Sequence, residues 1–194
     1  MTQSMAAMVW AAGIVIWTII RLPYRRRARR TKTVEDRRSS KERFMLSLTV
    51  VGLVVIPGFH LIFGLFKFAN LAYSPLAGWF GALLMAGFLL LFYLSHKHLA
   101  RNWSVSLEIR KDHELVDTGI YSKIRHPMYT SFWLWALAQF LLIPNWIAGL
   151  SGIISVAILY YGRIEAEEKM MRQQFGEAYD EYCSRTYRLL PKIF

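Results

Sequence analysis

The stretch Gly119-Ile120-Tyr121-Ser122-Lys123-Ile124-Arg125-His126-Pro127-Met128-Tyr129 crowds cationic, titratable and aromatic side chains between apolar runs. Polar groups beside a membrane segment are costly and are usually there for chemistry. A second group lies further on, in Arg163-Ile164-Glu165-Ala166-Glu167-Glu168. On a helix Arg163 and Glu167 stand four apart and share a face. A solvated helix end carries such a pair too, worth only a few tenths of a kcal/mol. His126-Pro127 likewise suits any helix start, with proline in the first turn. What singles the two groups out is position. One apolar run begins after Arg125-His126-Pro127, the next ends at Arg163, and the turn Pro144-Asn145-Trp146 between them forces those ends together. A guanidinium there would grip a carboxylate as a fork. A tyrosine ring face would favour a cation, although tyrosines also mark membrane interfaces.

The elements that must position these groups are membrane helices. Of the 194 residues, 55% are hydrophobic. A spanning helix needs ~20 apolar residues, and runs at 5–20, 44–66 and 76–95 approach or exceed that. Two shorter arms, 129–143 and 147–162, form a helical hairpin. Pro57-Gly58 should kink the second span, and His60 beside it reads as a packing histidine. Pro75 suits the first turn of the third span. Gly78, Ala82 and Ala86 repeat at four-residue spacing, a small-residue seam for close helix packing. The connector 96–128 is too polar for a bilayer core. The tail, 163–194, should carry the fifth helix on until Gly176 stops it.

The expected fold is therefore an all-α integral membrane protein of about five transmembrane helices, with a C-terminal hairpin and a cytoplasmic connector and tail. Three regions follow: 1–43, a first helix and basic loop; 44–95, the second and third helices; and 96–194, the chemically active part. Lys and Arg total 24 against 13 Asp and Glu, a formal net charge of +11. Much of the excess, Arg21, Arg25, Arg26, Arg27, Arg29, Arg30, Lys32, Arg37, Arg38, Lys41 and Arg43, lies between the first two spans. That pattern fits an inner loop facing anionic headgroups rather than a nucleic-acid surface. With basic loop, connector and tail on one side, the N-terminus is outside and the polar groups face the cytoplasm of a multi-pass cell or endoplasmic-reticulum-like membrane. Cys183 is the only cysteine, which excludes an internal disulfide. His96 and His98 are two apart, and no three- or four-ligand cluster appears, so no metal is expected. No Gly-x-Gly-x-x-Gly is present for a Rossmann site.

Gly119-Ile120-Tyr121, Arg125-His126-Pro127-Met128-Tyr129, Arg163-x-x-x-Glu167 and Phe175-Gly176-x-x-Tyr179-x-x-Tyr182 together resemble the isoprenylcysteine carboxyl methyltransferase family. The resemblance covers about 94–191. Its motifs are shared with phospholipid methyltransferases, and in part with membrane sterol reductases. It implies S-adenosylmethionine-dependent methylation of the carboxylate of a C-terminal prenylated cysteine, or of a similar lipidic acid. It also implies a cofactor pocket of Ser106, His113, Glu114, Leu115, Val116, Tyr121, His126, Pro127, Met128, Tyr129 and Glu167, with Arg163 facing the substrate. On that reading Arg163 orients the acceptor carboxylate, and Glu167 meets the cationic cofactor or braces Arg163. Methylation of a phospholipid amine is the alternative, although an amine would not want Arg163. A lipid-binding scaffold without catalysis, or a nicotinamide-dependent reductase, would lack S-adenosylmethionine binding.

Overall fold

A computed structural model describes residues 1–30, 33–36, 40–99, 108–110 and 115–191, with side chains in 1–28, 40–99 and 115–191. Helix α1 (Gln3–Arg30) carries Arg21 to Arg30 as helix, not loop, so the basic run continues the first span. Helix α2 (Ser40–Val50) runs through a π-turn (Val51–Val55) into α3 (Ile56–Phe63), which ends at the left-handed Gly64. Helix α4 is Pro75–Leu99, α5 is Pro127–Leu142, α6 is Trp146–Phe175 and α7 is Glu177–Arg185. Among the described residues, four segments are long and apolar enough to cross a membrane: Gln3–Ala28, Ser40–Phe63, Pro75–Leu99 and Trp146–Phe175. Helix α5, at 16 residues, is shorter than these. The chain is thus an α-helical multi-pass membrane protein. One addition was not expected: β1 (Thr33–Asp36) pairs antiparallel with β2 (Glu108–Arg110), tying the α1–α2 connector to the α4–α5 connector.

The core lies where α1, α4 and α5 meet. Phe88 stacks on Trp135 with centroids 4.7 Å apart, Trp17 meets Trp135 edge-on at 5.1 Å, and Phe92 continues the stack. The buried face of α4 reads Gly78, Gly81, Met85, Phe88, Phe92, Ser95. Of the expected seam only Gly78 is buried; Ala82 is half-buried and Ala86 exposed. Close approach is made instead at Gly81, where a Cβ would stand 2.9 Å from Leu142.

Pro57 distorts its helix upstream of itself. It has no N–H to donate and its ring crowds the preceding turn, and the ladder widens there: the Ile56 N–H reaches Val51 O, five residues back. The Gly52 carbonyl then has neither Ile56 nor Pro57 as a helical donor. Lipid supplies no hydrogen bonds, so neighbouring helices must. Gln139 of α5, fully buried, donates through Nε2 to Gly52 O at 3.0 Å and Ala148 O at 2.8 Å. Ser151 Oγ of α6 adds a 2.7 Å bond to the same Gly52 carbonyl. A Cβ at Gly52 would fall 2.4 Å from the Ser151 carbonyl, so glycine is what lets α6 come this close.

The hairpin turn is fastened at the opposite end from the polar groups. Asn145 caps α6 by accepting from the backbone N–H groups of Ile147 and Ala148. Its Nδ2 donates to Phe66 O and Asn70 Oδ1, and Leu71 N donates to Pro144 O. With the turn pinned, the N-terminus of α5 and the polar half of α6 lie side by side at the other end.

Gln139→Leu keeps the volume and removes the donor to Gly52. It should lower stability in detergent by about 1–2 kcal/mol, read as a drop in the thermal unfolding midpoint. A midpoint equal to that of the unchanged protein would show that the carbonyl is satisfied in another way.

Candidate functional site

His126 directly precedes α5 and Pro127 opens it. Its side chain makes no capping bond to that helix, so it is not a simple cap. The buried ring faces α6, with Nδ1 3.5 Å from Glu167 Oε1 and Nε2 3.4 Å from Glu168 Oε1. Two consecutive carboxylates therefore straddle one imidazole.

Their surroundings differ. Glu168 has only 3% of its side chain exposed and takes both arms of Arg188, from Nε at 3.0 Å and Nη2 at 2.7 Å. Arg125 Nε lies 3.5 Å from the same carboxylate. Glu167 accepts the Tyr129 hydroxyl at 2.9 Å and keeps 27% of its side chain open. Glu168 is thus closed on all sides by protein, whereas Glu167 presents a free face.

The C-terminal segment completes the wall. Tyr187 pairs in parallel with Ile124, Arg125 N donates to Tyr187 O, and His126 N donates to Arg188 O at 3.0 Å. The Arg125 guanidinium donates to the carbonyls of Cys183 and Thr186. Thr130 Oγ1 donates to Leu189 O at 2.8 Å, and Leu189 packs with Tyr129, Tyr160, Leu159, Ile164 and Met45.

Gly119 sits at φ 62, a left-handed value that favours glycine. A Cβ there would also stand 2.3 Å from the His98 ring. It opens the 3-10 turn Gly119–Ser122, which buries Tyr121. The Tyr121 carbonyl accepts the Tyr182 hydroxyl of α7 at 2.7 Å. Burial first, then the Tyr182 hydroxyl and the Glu167 carboxylate, push the Tyr121 phenol well above its usual range, so it is neutral at any working pH. Gly176, at φ 54, ends α6 where expected and starts α7.

Tyr121, His126, Pro127, Tyr129, Arg163 and Glu167 thus come together at one end of the bundle, with Met128 half-buried in the first turn of α5. Leu115 and Val116 are half-buried in the chain leading to this turn. Ser106, His113 and Glu114 lie outside the described residues. Arg163 does not follow the expected same-helix pairing. Among the described residues its ion pair is formed with Glu42 of α2, Nη2 to Oε1 at 3.3 Å, rather than with Glu167. Glu42, Glu168 and Arg188 are thus members of the cluster that the motifs did not single out, and Arg125, though in a motif, was given no role there. Glu168 was visible only as part of an acidic run, and Glu42 only as a lone acid among basic residues.

The fold and cluster define a multi-pass helical membrane protein with a buried imidazole–carboxylate–guanidinium network at one end. The sequence pattern of the isoprenylcysteine carboxyl methyltransferase family matches residues 79–173, so this region of the chain is similar to that family. Among similar proteins, protein-S-isoprenylcysteine O-methyltransferase of Schizosaccharomyces pombe is 34% identical over 89 residues, 46% of this chain and 38% of that protein. Protein-S-isoprenylcysteine O-methyltransferase B of Arabidopsis thaliana is 32% identical over 95 residues, 48% of each. The Homo sapiens protein-S-isoprenylcysteine O-methyltransferase is 35% identical over 92 residues, 47% of this chain and 32% of that one. The chain spans less than half the length of these curated relatives.

Burial disfavours a charged His126, but hydrogen bonds to Glu167 and Glu168 and the field of both carboxylates outweigh it and raise its pKa above 6.5. A raised folded-state value means that the protonated ring stabilises the fold fully below the unfolded pKa, and that this is lost as pH rises through the folded value. The stability difference between the unchanged protein and His126→Asn should therefore be largest below about pH 6 and shrink toward alkaline pH. Unfolding midpoints across pH 5–9 check it; a difference that grows with pH would refute a protonated ring. Glu168→Gln, which removes the buried charge facing His126, Arg125 and Arg188, should cost on the order of 3 kcal/mol by the same measurement.

Proposed function

We propose that this chain is an S-adenosylmethionine-dependent membrane methyltransferase that esterifies the carboxylate of a C-terminal prenylated cysteine or a similar lipidic acid. The observation that carries this is the convergence of the family-matched polar residues of α5 and α6 on one end of the bundle, with Arg163 buried beside them. Names of the similar proteins support the acceptor class.

The residues fit a cationic donor that bears an amino-acid end. Glu167 has an open carboxylate face, Tyr129 sets a ring beside it, and His126 and Tyr121 offer hydrogen-bonding groups. Leu115, Val116, Pro127 and Met128 would complete the pocket, with Ser106, His113 and Glu114 from the connector. When bound, the donor supplies an activated methyl: a carbon–oxygen bond forms to the acceptor, the carbon–sulfur bond breaks, and its electron pair stays on sulfur.

An ionised carboxylate needs no base, so the protein's tasks are alignment and exclusion of water. Arg163 suits the first, because its fork fixes the plane of a carboxylate. His126 holds the donor rather than moving a proton, since the chemistry releases none. The acceptor's apolar tail stays in the bilayer, where each buried methylene contributes about 0.8 kcal/mol. Arg25, Arg26 and Arg27 close the Gln3–Ala28 segment of α1 at the end that holds the site. Positive charge at that end supports an orientation toward the cytoplasm and toward anionic headgroups.

Labelled methyl transfer from S-adenosylmethionine to a short prenylcysteine tests the reading, with phosphatidylethanolamine in parallel. Label in the acid and none in the amine lipid is the expected result; the reverse would make the chain an amine methyltransferase. Arg163→Lys loses the fork and should lower turnover by about 10–100-fold with S-adenosylmethionine binding intact. Near-normal turnover would remove Arg163 from the orienting role.

A further inference from the structure

Arg163 is held from a part of the chain outside the family-matched residues 79–173. Glu42 lies in the first turn of α2, is 2% exposed, and places Oε1 3.3 Å from Arg163 Nη2. The contact is sealed on its membrane side. Met45, one turn further along α2, packs with Tyr129, Leu159, Tyr160 and Ile164. It also closes over Gly162, where a Cβ would meet its sulfur at 2.3 Å.

A guanidinium has five N–H donors. Glu42 meets the Nη2 end. Arg163 Nε is buried and has no hydrogen-bond partner among the described residues. One end of the fork is therefore anchored while another donor stays available inside the protein. Glu167 stands four residues along the same helix, within ordinary reach of an arginine. Something has to keep the guanidinium from folding onto it, and the ion pair to α2 provides that restraint.

We infer, resting on the reading of Arg163 as the acceptor-binding residue, that Glu42 is a positioning residue for methyl transfer. It draws the guanidinium toward α2, away from Glu167, so that Nε is presented to the acceptor carboxylate. It also neutralises the buried cation while no acceptor is bound, which a lone guanidinium in this setting would require. Glu167 is thereby left open on the face assigned to the donor. Without the charge at position 42, Arg163 turns to Glu167, and the acceptor meets an occupied fork.

The test compares the unchanged protein, Glu42→Gln, Arg163→Gln and the double variant. Two readouts are needed: equilibrium binding of S-adenosylmethionine, and initial methylation rates against prenylcysteine concentration. Glu42→Gln should raise the acceptor KM about tenfold or more while donor binding stays within about twofold. On the Arg163→Gln background the same change should add less than about twofold, because both act through one interaction. Glu42→Asp keeps the charge one methylene short and gives the same readouts with an intermediate KM should the amide variant fail to accumulate. An acceptor KM within twofold of the unchanged protein, loss of donor and acceptor binding together, or fully multiplicative effects would each overturn the inference. Those outcomes leave the methyltransferase reading standing if the unchanged protein is active. An unchanged protein that transfers no methyl to prenylcysteine would overturn both.

Discussion

Glu168 is the point on which the polar end of the molecule depends. It is an ionised group with 3% of its side chain exposed, on a helix whose other half crosses the membrane. Removing a carboxylate from water costs several kcal/mol unless charged partners replace the lost solvation. Here the partners come from two stretches of chain: Arg125 and His126 before α5, and Arg188 after α7. None of these stretches can move independently without stranding a buried charge. The arrangement of His126, Tyr129 and Glu167 therefore follows from the neutralisation of their neighbour, and the open carboxylate is precise in position because the closed one is fixed.

The same logic operates at membrane depth with neutral groups. Pro57 leaves the Gly52 carbonyl without a helical donor, and Gln139 and Ser151 answer it from two other helices. That bond locks α2 to α5 and α6 below the site. The wide turn also adds a residue to the helix, so the buried face runs Glu42, Met45, Thr49, Gly52 and Leu53, then Pro57. Glu42 is thereby kept on the α6 side. A helix defect in the bilayer and an ion pair at its edge are thus parts of one positioning device.

Much of this was legible from residue types. Long apolar runs announced the membrane helices, Pro144-Asn145-Trp146 the turn, Gly176 the end of α6, and the motif around His126 the polar cluster. Each of these signals is local: a run, a cap or a fixed spacing. What stayed hidden was the choice of partner. Glu167 and Glu168 are neighbours in sequence, and only the tertiary position of Arg188 makes one closed and the other open. The Arg163–Glu167 spacing suggested an ion pair within α6, but Glu42 from α2 takes the guanidinium. The four-residue repeat on α4 pointed to a small-residue seam, yet the packed face follows Gly81 and Met85, because the bulky Leu142 of α5 needs the glycine opposite it. The ribbon between β1 and β2 joins segments about 75 residues apart, beyond the reach of any periodicity.

The position of Glu42 bears on how such a site can vary. Residues 79–173 hold the hairpin and most of the polar cluster, and they match the family pattern on their own. The first two helices fall outside that pattern, but they supply the counter-charge of the residue best suited to hold a carboxylate. The Arg163 guanidinium pairs with Glu42 at 3.3 Å, while Glu167 stands one turn along the same helix. Packing along α2 holds that pair in place, through Met45 against Gly162 and the Pro57 turn below it. If Arg163 holds the acceptor as proposed, changes in the N-terminal helices retune its recognition without touching the residues of α5 and α6. On the proposed reading, the two halves of the chain carry separable parts of one reaction, with the donor on α5 and α6 and the geometry of the acceptor set from α2.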